Sequence, residues 1–198
     1  MTASTLTQLF DLDRPYRIDI PAAGWDSAFR SQCGPRAQGA GAARFPDYFD
    51  ATITVTTAPA LKTAIATTLD QNSPAAISRI IIDASGPATW GAQTINPAPT
   101  GASCGQVWIT TAPGTSFVGD THIRCARPDV VFYGIDFSGI VGGFAAIEFN
   151  DFAATYVTDP YLRPDRGKVL SCTFTGGTEA GVAFLDCDDG EVADCTFD

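Results

Sequence analysis

Arg163, Arg166 and Lys168 stand close together beside Asp159 and Asp165, in a stretch that also carries Tyr156 and Tyr161. In a chain of net charge −10, such guanidinium and ammonium groups make a local attraction for carboxylate-bearing polymers, and tyrosine rings offer flat faces to sugars. Arg124 and Arg127 extend the basic grouping, and Trp108 and Tyr133 are further candidate stacking surfaces. We take Tyr156, Tyr161, Arg163, Arg166 and Lys168 as candidate glycan-binding residues because they lie in the one long interruption between β-like runs, where binding residues gather. Lys168 is also the lysine placed to serve as a base, since Lys62 belongs to a predicted helix far from any groove.

Other chemistries find less in the chain. His122 is the sole histidine and no nucleophile motif precedes it, so it reads as a strand residue. The run GAGAAR (39–44) lacks the third glycine of a dinucleotide loop, and GxxxxGK is absent. The acidic run DCDDGE (186–191) is of the kind that attracts calcium, but it has Gly190 at the fifth position of an EF-hand loop and Phe197 at the twelfth. We read it as a solvated turn and expect neither metal nor cofactor. Cys33, Cys104, Cys125, Cys172, Cys187 and Cys195 form no CxxC pair, which argues against zinc and for small buried hydrophobes.

The elements that must hold these residues are β-strands. With 45% apolar residues in 198, the chain can bury a core, and its 22 acidic against 12 basic residues disfavour nucleic acid as a partner. No segment is apolar and long enough to insert in a membrane, and the first thirty residues show no signal-peptide core. Residues 1–50, with Pro15, Pro21, Pro35, Pro46 and the stretch 34–41, read as an irregular appendage, suited to anchoring. Residues 51–198 read as the second unit. TITVTT (52–57) predicts a strand, and Leu61, Ile65 and Leu69 predict a helix over 60–70. From Arg79 onward come short β runs, among them RIIID (79–83), QVWITT (106–111), VVFYGIDF (130–137), AAIEF (145–149), VLSCTF (169–174), GVAFL (181–185) and VADCTF (192–197).

A repeat decides how these runs combine. VLSCTF and VADCTF match at Val, Cys, Thr and Phe with a period of 23, and VFYGIDF (131–137) fits the same frame. A period of that size built from two or three strands is one turn of a solenoid, with equivalent residues one strand spacing apart, ~4.8 Å. The fold class expected is all-β: a right-handed parallel β-helix with an N-terminal cap helix. Phe137, Phe174 and Phe197 should stack inward, and Ile135, Cys172 and Cys195 should form a second column of reduced thiols and isoleucine. Parallel side chains in register suit a disulfide poorly.

The order Pro113-Gly114, Phe117-Val118, Gly119, His122-Ile123, Val130-Val131 and Gly134-Ile135-Asp136-Phe137, after the helix LKTAIATTLD, resembles the N-terminal cap and first turns of polysaccharide lyase family six. That is the group of alginate lyase and chondroitinase B, and the resemblance covers roughly residues 60–198. Phage tailspike β-helices share such turns. The lyase resemblance implies β-elimination on uronic-acid glycans by a Lys base and an Arg acid, with calcium neutralising the uronate. Those residues lie on turns farther along than this chain reaches, so none is carried over. Two functions are expected: a virion tailspike or fibre-like protein engaging host surface polysaccharide, or a lyase of uronic-acid glycans. The virion reading leads, because it accounts for an extracellular type of fold without a visible signal. It implies an extracellular or virion location, and a homo-oligomer or a part of a larger particle. The last turn at Asp198 has no cap, so a longer chain or a covering partner is expected.

Overall fold

The computed structural model describes residues 45–65, 76–95, 105–150, 164–177, 179–185 and 187–198. Its strands are β1 (Ala51–Val55), β2 (Ile77–Ile82), β3 (Pro87–Ala88), β4 (Ala92–Ile95), β5 (Gln106–Thr111), β6 (Ser116–Phe117), β7 (His122–Cys125) and β8 (Val130–Tyr133). There follow β9 (Asp136–Val141), β10 (Ala145–Phe149), β11 (Lys168–Leu170), β12 (Thr173–Gly177), β13 (Ala180–Phe184), β14 (Glu191–Ala193) and β15 (Thr196–Phe197). The single helix of the described residues, α1, spans Ala58–Thr63.

The chain is all-β, and its strands form three parallel sheets. Sheet I has the order β1-β2-β5-β8-β11-β14, sheet II β3-β6-β9-β12-β15, and sheet III β4-β7-β10-β13. From β2 onward each passage visits I, II and III in turn and returns to I beside its starting point, an arrangement compatible with a solenoid. Parallel strands cannot close by hairpins, so every connection is a corner or a crossover.

Alternation along each strand decides what lies inside. Ile80, Ile109, Phe132 and Val169 align across sheet I in the main core, while their neighbours Arg79, Trp108, Val131 and Lys168 lie on the other face of the sheet, where Trp108 and Val131 are buried in a second, smaller cluster. In sheet II the inward column is Phe117, Phe137, Phe174 and Phe197, as the 23-residue frame predicts, with Phe117 added ahead of it. Successive ring centroids lie 5.5, 5.2 and 5.0 Å apart. Sheet III aligns Ile95, Cys125, Phe149 and Phe184, the last two rings stacked at 4.9 Å. Each wholly buried Phe contributes roughly 1.5–3 kcal/mol through removal from water.

Three expectations change. VVFYGIDF, VLSCTF and VADCTF are each two strands rather than one. Gly134, Ser171 and Asp194 bend them with φ of 64°, 54° and 56°, and so carry the chain from sheet I to sheet II. The helix begins earlier than the Leu61–Ile65–Leu69 spacing predicts. Thr57 caps it by accepting a hydrogen bond from the Ala60 N–H at 3.3 Å, and Pro59 fits its first turn, where no amide partner is needed. Leu61 and Ile65 are buried, and Leu69 lies outside the described residues. Finally, β4 (AQTI) escapes the pattern reading altogether.

Residues 45–50, the described end of the predicted appendage, pack on the outer face of sheet I. Phe45 and Phe49 meet Trp108 edge-on at 5.6 and 6.4 Å, and the Arg79 guanidinium lies 5.0 Å from the Phe45 ring centre. Asp50 extends the pairing, its carboxylate accepting from the Ile77 N–H at 2.7 Å. Residues 1–44, with Cys33 and the GAGAAR run, lie outside the described residues.

Candidate functional site at the corner between sheets III and I

The long interruption joins β10 of sheet III to β11 of sheet I, so its two ends fix one corner of the molecule. Tyr156, Tyr161 and Arg163 lie outside the described residues, as do Asp159 and Cys104. Arg166 and Lys168 are described, and both are engaged at the base of the loop.

Arg166 adopts φ of 60° and turns its guanidinium to the preceding passage of the chain, where Nε and Nη2 donate to the two Asp129 oxygens at 2.8 and 2.7 Å. That fork matches carboxylate geometry, and the Asp129 hydrogen bonds raise the Arg166 pKa. Backbone bonds continue the corner along the stack. The Asp129 N–H donates to the Asp165 carbonyl at 3.0 Å, the Arg166 N–H to the Asp188 carbonyl at 2.8 Å, and the Asp188 N–H to Asp165 Oδ1 at 2.9 Å. Asp129, Arg166 and Asp189 all hold left-handed backbone at equivalent points, each just ahead of a strand of sheet I.

Lys168 stands beside this ladder. Its Nζ donates to Glu191 Oε2 at 2.7 Å, and only about a tenth of either side chain is exposed. The two residues face each other in register across β11 and β14. On the sheet III side, Arg124 Nε donates to Glu148 Oε2 at 3.3 Å, and Asn150 Nδ2 to the other oxygen of Glu148 at 2.9 Å. Arg127 is wholly buried, its Nη1 donating to the Gly105 carbonyl at 3.3 Å.

Thus the corner gathers Arg124, Arg127, Arg166 and Lys168, as the basic grouping suggests, but holds each against carboxylates or carbonyls. Such a base can fix a loop and present what the loop carries. For Lys168 to act as a general base, it would first have to leave Glu191. Pattern reading missed Asp129, Glu148 and Glu191, because each lies one turn from its basic partner and 23 to 37 residues away in sequence.

The remaining candidates resolve differently. Trp108 is not a sugar platform: it is fully buried under Phe45 and Phe49, with its indole N–H donating to Gln106 Oε1 at 2.7 Å. Tyr133 packs in the same cluster, its ring 4.8 Å from Phe45. The His122 ring lies against Gly143 and its Nδ1 is 3.0 Å from the Ala145 carbonyl, a contact that braces a corner. Among the described residues, no group of three or more His, Cys, Asp or Glu is placed to hold a metal ion, and no helix is long and apolar enough to cross a membrane.

A comparison of the chain with family models, curated proteins and solved structures finds no match.

Proposed function

We propose that this chain is a right-handed parallel β-helix of tailspike or fibre type that engages a host surface polysaccharide through the loop between β10 and β11. The observation that carries the reading is the longest of the connections from sheet III to sheet I, rooted at one corner by the Arg166–Asp129 fork and the Lys168–Glu191 pair. The anchored ends fix where the segment that carries Tyr156, Tyr161 and Arg163 joins the stack. On this reading the chain works outside a cell or on a virion, as a homo-oligomer or within a larger particle, and needs no cofactor.

The lyase reading draws less support, because Lys168 is committed to Glu191. Binding to a panel of immobilised bacterial polysaccharides tests the proposal. Retention that drops at least tenfold in the triple variant Tyr156→Ala, Tyr161→Ala, Arg163→Ala supports it, and failure to retain any glycan overturns it. An ultraviolet-absorbing product from alginate or chondroitin that disappears with Lys168→Ala would restore the lyase.

A further inference from the structure

Sheet I differs from its neighbours in what it carries on its outer face. The outward column of sheet II is polar, with Ser116, Asp136, Thr173 and Thr196 in register, and that of sheet III pairs Arg124 with Glu148. On the outer face of sheet I, Ile77, Trp108, Val131 and Leu170 instead form a buried apolar cluster, with Phe45, Phe49, Tyr133 and Ala193 packed against it. A parallel sheet carries apolar residues on a face that something covers.

The described cover has a direction. Asp50 bonds Ile77 of β2 twice, its carboxylate accepting from the Ile77 N–H and its own N–H donating to the Ile77 carbonyl at 2.8 Å. Phe49 then meets Trp108 of β5, and Phe45 reaches both Trp108 and, at 4.8 Å, Tyr133 of β8. Arg79 holds the two rings, its guanidinium 5.0 and 5.8 Å from their centres, while its Nε donates to Thr110 Oγ1 at 3.0 Å. Followed backwards from Asp50, the chain crosses sheet I strand by strand. The next strands in that direction carry Leu170 on β11, in register with Tyr133, and Ala193 on β14, in register with Leu170. Leu170 is fully buried and Ala193 half-buried.

We propose that the outer face of sheet I is the dock of the chain's own N-terminal segment, and that Ala42, Ala43 and Arg44 carry the strap of residues 45–50 onward across Leu170 and Ala193. From β8 to β14 is two strand spacings, ~10 Å, which three extended residues at ~3.3 Å each span. A second copy of the chain is the poorer occupant. With Phe45 and Phe49 in place, the face beyond Tyr133 consists of two strands of three residues. That is roughly 100 Å², against about 800 Å² per partner in a stable interface. Laid across β2, β5, β8, β11 and β14, the strap ties together strands from successive passages of the chain. The proposal is independent of the glycan reading.

The test places photoreactive benzoylphenylalanine at Ala193 of the full chain, irradiates it and maps the crosslinked tryptic peptides. A crosslink within one chain to the peptide 37–44 is expected, and the same probe at Thr173, on the outer face of sheet II, should give none. Phe45→Ala combined with Phe49→Ala should lower the Ala193 yield about tenfold, the effect of losing ~1.4 kcal/mol of docking. Hydroxyl-radical footprinting needs no probe: Leu170 should be protected in the parent chain and oxidised in that double variant. Crosslinks from Ala193 that join two chains, crosslinks that miss residues 1–44, or Leu170 protection unchanged in the double variant would overturn the proposal.

Discussion

Phe174 and Phe197 face each other one turn apart, their rings 5.0 Å centre to centre and 8° from parallel. Phe174 also stacks on Phe137 at 5.2 Å, so it is held on both sides, whereas Phe197 is 55% exposed. Truncating the inner ring should therefore cost much more than truncating the outer one. Phe174→Ala should lose about 3–5 kcal/mol through transfer and cavity terms, and Phe197→Ala about 1 kcal/mol. Urea midpoints of the two variants at constant m-value check this, and equal losses would mean the column is not the organising core.

How much of this was legible follows from what a period can encode. The Phe137–Phe174–Phe197 column could be read because identical residues recur in one frame, and parallel strands stacked in register turn sequence period into spatial neighbours. The bends at Gly134, Ser171 and Asp194 could not, because three different residue types adopt the same left-handed conformation there. The ion pairs Arg166–Asp129 and Lys168–Glu191 were hidden for a related reason: each joins residues that only the folded register brings together. The burial of Trp108 depends on Phe45 and Phe49, from a segment whose own pattern gave no period.

The two cross-turn ion pairs should behave differently because their exposures differ. Arg166 is about half exposed, and Arg166→Ala should cost about 0.5–1 kcal/mol, an effect that shrinks as salt is added. Lys168 and Glu191 are nearly covered, so Lys168→Ala leaves a buried carboxylate and should cost about 3 kcal/mol with little salt dependence. Lys168→Met combined with Glu191→Leu should recover most of that loss. Chemical denaturation of the three variants and the parent chain at low and high salt separates the cases, and a salt-sensitive Lys168 effect would contradict the burial.

Backbone conformation yields a sharper contrast. Gly142 has φ of +70° with open space where a Cβ would sit, so Gly142→Ala should cost only the left-handed penalty, about 1–2 kcal/mol. Gly176 has φ of +131°, and a Cβ there would lie 2.3 Å from the Ile140 carbonyl oxygen, a backbone atom held by the β9–β12 pairing. Gly176→Ala should exceed the Gly142 loss by at least about 2 kcal/mol, because strand pairing must give way at the bulge after Thr175. Thermal unfolding of both variants decides it, and comparable melting temperatures would place the strain elsewhere.

Alkaline stability should report on the buried thiols. Burial pushes Cys125 up from 9.0 to about 12, with Arg127 only partly offsetting it. In the unfolded chain that thiol ionises near 9, so between pH 9 and 12 the folded state binds more protons than the unfolded one, and stability falls as pH rises. The slope from this one group approaches about 1.4 kcal/mol per pH unit. Cys172, also raised by burial, adds in the same direction. Cys195, lowered to about 7, acts oppositely and adds stability between pH 7 and 9. A maximum near pH 9 is therefore expected. Cys125→Ala should lose a constant amount below pH 9 from the small cavity, yet fall less steeply above it, so the two stability curves converge with rising pH. Urea unfolding of both chains at half-unit steps from pH 7 to 11 measures the convergence, and parallel curves would show that Cys125 ionises as readily folded as unfolded.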